Sequence, residues 1–185
     1  MKKALALLLA ALLTLCLSTA GLASSTETSK MDQMVNLAKN FLDQNAYPYE
    51  YDEYTFETQF AINNAMEYVN VMIYIYDDML SVSVDAPVSG AEEIFENMAV
   101  FTTLANREIY YGQFRVTPNE GQVYISCRSC NLVEDVIPGE NELFYLLSQP
   151  LHYMEMYGDG ICAVIDGNDP YEAFEICEAA VDEAW

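Results

Sequence analysis

The residues best suited to chemistry are the thiols of Cys127-Arg128-Ser129-Cys130. Two cysteines at this spacing can cycle as a disulfide or hold a metal as thiolates, provided a turn brings the sulfurs together. The flanking pattern points elsewhere. Val123, Ile125 and Cys127 recur at every second position, the period of a strand. Extended at about 3.3 Å per residue, the chain sets the two Cα atoms roughly 10 Å apart with side chains on opposite faces. A disulfide needs them within about 7 Å. The pattern therefore predicts Cys127 in a core row and Cys130 at the frayed strand end. Cys127 and Cys130 remain the candidates for a metal or redox site only if the strand turns between them.

Other groups offer less. Cys162 and Cys177 stand in apolar surroundings, Cys177 on a helical stripe, and are the disulfide candidates. A bridge between them and two buried free thiols both fit the pattern. His152, the sole histidine, neighbours no serine or cysteine motif and reads as a partly buried helix residue. Asp166-Gly167-Asn168-Asp169 lacks the ligand order of a calcium loop and reads as a turn and helix cap. No catalytic residue, metal site or cofactor is predicted. The 14 tyrosines invite a ligand-binding reading; Tyr47, Tyr49, Tyr51 and Tyr54 cluster before the first strand, and Tyr68, Tyr74 and Tyr76 share one face of the second. Tyrosine is also an ordinary strand residue, so sheet packing is the favoured explanation.

The elements that must position these groups follow from periodicity. Met31, Met34, Val35, Ala38, Phe41 and Leu42 recur at helical steps, with Ser29 and Asp32 as a capping pair and Asn45 to Pro48 as the stop. Period two then governs three strands: Phe56 to Ile62, Val69 to Ile75, and Leu80 to Val84. Ser89 and Glu92 form a capping box ahead of a helical stripe of Ile94, Met98, Phe101 and Ala105. Two more strands flank Pro118-Asn119-Glu120-Gly121. Leu143, Leu147, Leu151 and Met154 mark another helix, in which Pro150 predicts a kink or break and Gly158-Asp159-Gly160 a second pause. Asp169, Pro170 and Glu172 open the last helix, striped by Phe174, Cys177, Val181 and Trp185. The fold class is α+β: an antiparallel sheet with helices on one face, in the order α-β-β-β-α-β-β-α(-α).

Met1-Lys2-Lys3, an apolar run to Leu17 and small residues to Ala23 have the layout of a secretory signal. The expected organisation is a signal peptide over 1–23, a polar spacer over 24–28 and a single domain over 29–185, giving an exported protein; an uncleaved anchor is the competing reading. Two of the seven basic residues belong to that leader, which leaves five against 29 carboxylates, a balance near −24. Such a field repels nucleic-acid phosphates and anionic lipid headgroups, so neither nucleic acid nor a membrane surface is an expected partner.

Three motifs carry a family likeness: Leu104-Ala105-Asn106-Arg107, Gly112-Gln113-Phe114-Arg115-Val116 and Gly121-Gln122-Val123-Tyr124-Ile125, followed by Val164 to Ala173 at the end. With these, the chain from about Ala99 to Ala180 resembles the YbjN-type family, described as candidate sensory transduction regulators of bacteria. The resemblance implies a type III secretion chaperone-like fold, with binding of protein segments and homodimers as precedents among its relatives. It brings no catalytic residues. Those chaperones are cytosolic, and the export signal departs from them. The expected function is an exported, non-enzymatic binding or regulatory domain that engages a protein or peptide partner and can form a homodimer. The alternative is an envelope thiol-redox or metal-handling protein using Cys127 and Cys130.

Overall fold

A computed structural model describes residues 29–133 and 136–183, with side chains through Glu178. The expected leader and spacer, and the Val181 and Trp185 side chains, lie outside the described residues. Helix α1 (Lys30–Gln44) buries Met34, Ala38, Phe41 and Leu42 on one stripe. Ser29 caps it, accepting from the Asp32 amide at 3.1 Å and donating to the Asp32 carboxylate at 2.7 Å. Asn45 closes it by donating to the Phe41 carbonyl at 2.8 Å.

Strands β1 (Glu50–Asp52), β2 (Thr55–Ala61), β3 (Tyr68–Ile75) and β4 (Met79–Ala91) follow. After a short 3-10 turn (Glu92–Ile94) come α2 (Phe95–Glu108), β5 (Gln113–Asn119), β6 (Gln122–Leu132), α3 (Glu140–Ile165) and α4 (Pro170–Glu183). All strand pairs are antiparallel, in a six-stranded sheet of order β1-β2-β3-β4-β6-β5.

Register converts the alternation into two faces. The row Thr58, Val71, Val84, Cys127, Phe114 crosses five strands and is buried throughout. Helix α3 lies over β4 and β6, α2 over β5 and α1 over β3; α4 packs on α3 and α2. The helices thus share one face, the arrangement predicted from the sequence, and the apolar row sits in a single core. Burial of the β3 and β4 rows stabilises this arrangement by about 1.5–3 kcal/mol per fully buried Val, Leu or Ile.

Four local expectations are corrected. A short edge strand, β1, precedes the three that were predicted. The capping box at Ser89 does not form: β4 continues to Ala91, and Ser89 pairs with Tyr124 of β6. The long β6 supplies ladder partners there, and an irregularity between Asp85 and Ser89 accommodates Pro87, which has no N–H to donate. Helix α3 runs 26 residues without a break at Pro150 or a pause at Gly158-Asp159-Gly160.

The proline is tolerated because its lost hydrogen bond is replaced. Without an N–H at position 150 the Leu146 carbonyl loses its helical donor, and the buried Ser129 hydroxyl of β6 donates to it at 2.6 Å. The glycines are close-approach points rather than pauses. A Cβ at Gly158 would collide with the Asn64 side chain, which donates to the Met154 and Glu155 carbonyls at 2.8 and 3.0 Å. A Cβ at Gly160 would stand 2.6 Å from both Cys177 Sγ and the Phe101 ring.

Ser129→Ala should therefore cost about 1–3 kcal/mol in urea unfolding, the penalty for an orphaned buried carbonyl. In a Pro150→Ala background, where an amide N–H is restored, the same substitution should cost measurably less. Equal losses in both backgrounds would show that Ser129 and Pro150 are not coupled.

Candidate binding face

The sheet's second face carries no helix among the described residues. Three rows run across it. Asp52, Thr55, Tyr74, Ser81 and Cys130 form one; Glu50, Glu57, Met72, Ser83, Arg128 and Gln113 the next; Gln59, Asn70, Asp85, Ser126 and Arg115 the third. Carboxylates collect at the β1–β2 end and guanidinium groups at the β6–β5 end. Between them stand tyrosines and Met72, with Tyr74 and Tyr76 stacked at 6.3 Å.

Arg128 is held in place. Its Nε donates to Ser83 Oγ at 3.3 Å, and its guanidinium lies 5.5 Å from the centroid of the Tyr74 ring. Ser83 is fully buried, and its hydroxyl donates a hydrogen bond to Asp85 Oδ1 at 2.6 Å. Burial raises the Tyr74 pKa; Asp85 adds to the rise and Arg128 opposes it. Beside Arg128 opens a recess of about 390 Å³, walled by Met79, Tyr111, Gln113, Arg115 and Cys130. Its rim is tied down where Tyr111 Oη donates to the Cys130 carbonyl at 3.3 Å and its ring meets Tyr145 at 5.4 Å.

The two sheet edges are poorly suited to adding a strand. On β5 the Asn106 side chain, at the end of α2, occupies both polar groups of Phe114: its Oδ1 accepts from the amide at 2.7 Å and its Nδ2 donates to the carbonyl at 3.1 Å. Those groups point away from β6, as do those of Val116 and Pro118 by alternation. Pro118 has no N–H. The opposite edge, β1, is three residues long, carries Glu50 and Asp52 and is followed by Glu53. Short length, charge and proline are ordinary protections of a sheet edge.

The thiols of the C-x-x-C pair are placed on opposite faces. Cys127 is buried beneath the helices, and burial pushes its pKa up to about 12. Cys130 is exposed on the other face, and both are free. Cys177 is buried against Gly160, donates to the Ala173 carbonyl at 3.5 Å and is pushed up to about 11, while half-buried Cys162 is raised by burial and then by Asp159 and Asp166. Those two thiols are likewise free.

His152 stands exposed on α3, not partly buried, with its ring 5.7 Å from that of Tyr153. Asp169 caps α4, accepting from the Tyr171 and Glu172 amides at 2.9 and 3.4 Å. Among the described residues no group of three or more His, Cys, Asp and Glu side chains is arranged to hold a metal. Three of the first four tyrosines make ring contacts, Tyr47 with Phe60 at 4.7 Å and Tyr49 and Tyr51 with Phe56 at 5.3 and 4.7 Å, while Tyr54 stands exposed. No helix among the described residues is long and apolar enough to cross a membrane.

Sequence reasoning passed over Arg115 and Arg128 as a pair. The signal was present: the alternation that sends Phe114, Val116, Ile125 and Cys127 inward sends Arg115 and Arg128 outward on adjacent strands.

Among solved structures the chain is similar to the crystal structure of YbjN from E. coli, described as a candidate transcription regulator, with a TM-score of 0.53 and 10% identity over 66% of this chain and 86% of that one. The fold is YbjN-like, as the sequence motifs implied. No family model and no curated protein matches the chain. Two of the motifs behind the likeness meet physically, since Asn106 of one clamps Phe114 of the other.

At pH 8 a thiol reagent should label Cys130 rapidly and leave Cys127 untouched until the protein unfolds, as read by mass spectrometry of labelled peptides. The raised thiols also set an alkaline limit. An unfolded thiol loses its proton near pH 9.0, while burial makes folded Cys127 and Cys177 hold theirs to about 12 and about 11. Their contribution to stability is fully present below pH 9 and declines as pH rises towards the folded values. Cys127→Ser should lower stability at neutral pH and flatten that decline; an unchanged alkaline slope would count against the assignment.

Proposed function

We propose that this chain is an exported, non-enzymatic binding domain of regulatory type, engaging a protein or peptide partner through the open face of its sheet. The observation that carries this reading is the asymmetry of cover. One face is closed by helices; the other presents Met72, Tyr74, Tyr76, Tyr124 and two arginines without an element over them. Tyrosine and arginine are the side chains enriched where proteins meet. Protected edges favour contact through the face over strand addition. The structural likeness to a candidate regulator supports the same class, and the leader read from the sequence supports export. A second copy of the chain is one such protein partner.

A photo-crosslinking residue placed at Tyr74 or Tyr124, in cells that express the full chain, should give a discrete adduct. The same residue at Tyr171, on α4, should not. Adducts from Tyr171 alone would remove the face as the binding surface. Sedimentation of the purified protein separates a second copy from a different partner, and a mature N-terminus at Ser24 is the expected mark of export.

A further inference from the structure

We infer that Arg128 and Arg115 form a receptor for a carboxylate carried by a partner polypeptide; this deepens the open-face reading and rests on it. The chain has seven basic residues against 29 acidic ones, yet two of its arginines line one recess with no carboxylate among the lining residues. Register explains their proximity. Arg128 pairs with Gln113 across the β5–β6 ladder, and Arg115 pairs with Ser126, two residues before Arg128 on the same face. Diagonal neighbours of this kind lie about 7–8 Å apart at Cα, within reach of long side chains. Among the described residues neither guanidinium forms an ion pair.

Arg128 is also ordered in advance. Ser83 takes its Nε and the Tyr74 side chain holds its guanidinium by ring contact and hydrogen bond, which fixes the group at the recess before a ligand arrives. Asp85, the carboxylate in the row of Arg115, accepts from the Ser83 hydroxyl at 2.6 Å, and the other carboxylates of this face stand on β1 and β2. A guanidinium fork matches the two oxygens of a carboxylate, and a pre-ordered one loses less side-chain entropy on binding. The surrounding wall of Met79, Tyr111 and Gln113 suits the apolar stem and backbone of a peptide residue. The overall charge selects against a polyanion. A lone carboxylate interacts with the two nearby cations, while most of the distant acidic residues lie beyond the roughly 8–10 Å over which salt screens them.

The test titrates the purified chain with two blocked tripeptides, acetyl-Phe-Glu-Phe-amide and its Gln counterpart, following the arginine Nε–Hε resonances by NMR. The Glu peptide should move the Arg115 and Arg128 signals and bind roughly tenfold to a hundredfold more tightly than the Gln peptide, the range expected for hydrogen bonds to a charged group. Arg128→Ala should remove that preference. Arg128→Lys, which keeps the charge and loses the fork, should weaken it at least severalfold. Equal binding of the two peptides, or shifts confined to other residues, would overturn the proposal. So would acetate saturating the site at the peptide's concentration, inorganic phosphate displacing the peptide, or concentration-dependent shifts of the same resonances without peptide. These three would assign the pair to a free carboxylate, a phosphate or a second copy. If photo-crosslinks from Tyr74 persist in an Arg115→Ala, Arg128→Ala double variant, the open face still binds a partner and only the carboxylate receptor is lost.

Discussion

The close seating of α3 on β4 and β6 is the contact on which the other elements depend. This helix covers the central apolar rows, packs against α4 and α2, and takes the β2–β3 loop through Asn64. Three residues unfavourable in an isolated helix lie along it: Pro150, Gly158 and Gly160. Each is matched by a specific neighbour. Ser129 supplies the donor that Pro150 lacks, Asn64 fills the space beside Gly158, and Phe101 with Cys177 fills that beside Gly160. The helix is stabilised by what it touches, and its sequence is that of a helix already in place.

That dependence separates what was legible in the sequence from what was not. The rows Val69 to Ile75 and Leu80 to Val84 declare themselves because burial on one face of a strand imposes period two. Ser29 and Asp169 declare their helices because a cap acts within its own turn. Failures occurred where a local signal competed with a distant partner. Ser89 and Glu92 make a valid capping box, but ladder bonds to Gln122, Val123 and Tyr124 hold that segment extended. Pro150 reads as a breaker only until the Ser129 hydroxyl, 21 positions earlier in the chain, is brought to the Leu146 carbonyl. Fold class was therefore readable from periodicity, whereas the continuity of α3 required knowledge of the assembled core.

The candidate site was concealed for a related reason. Attention falls on the cysteines of Cys127-Arg128-Ser129-Cys130 because sulfur spacing is a recognised chemical sign, yet the strand divides those four residues between two environments. Cys127 and Ser129 face the core, one as an apolar filler and the other as the donor to α3. Arg128 and Cys130 face outward. The segment thus does two jobs at once: its inward residues secure the helix layer while its outward residues edge the recess.

The same division explains why the open face can remain open. A sheet buried on both sides would need apolar residues in both registers of its central strands, and β4 instead alternates Leu80, Val82 and Val84 with Ser81, Ser83 and Asp85. The small hydroxyls are buried even without a covering helix, because neighbouring Tyr74 and Arg128 close over them and their own bonds are satisfied. Among the described residues no buried side-chain nitrogen or oxygen lacks a partner. The open face thus buries its small hydroxyls with their hydrogen bonds made. Its long side chains are ordered from below by short ones, leaving their upper surfaces free for contact. Asn106 on the β5 edge and the acidic β1 edge oppose strand addition from either side. What the fold leaves accessible is the face itself.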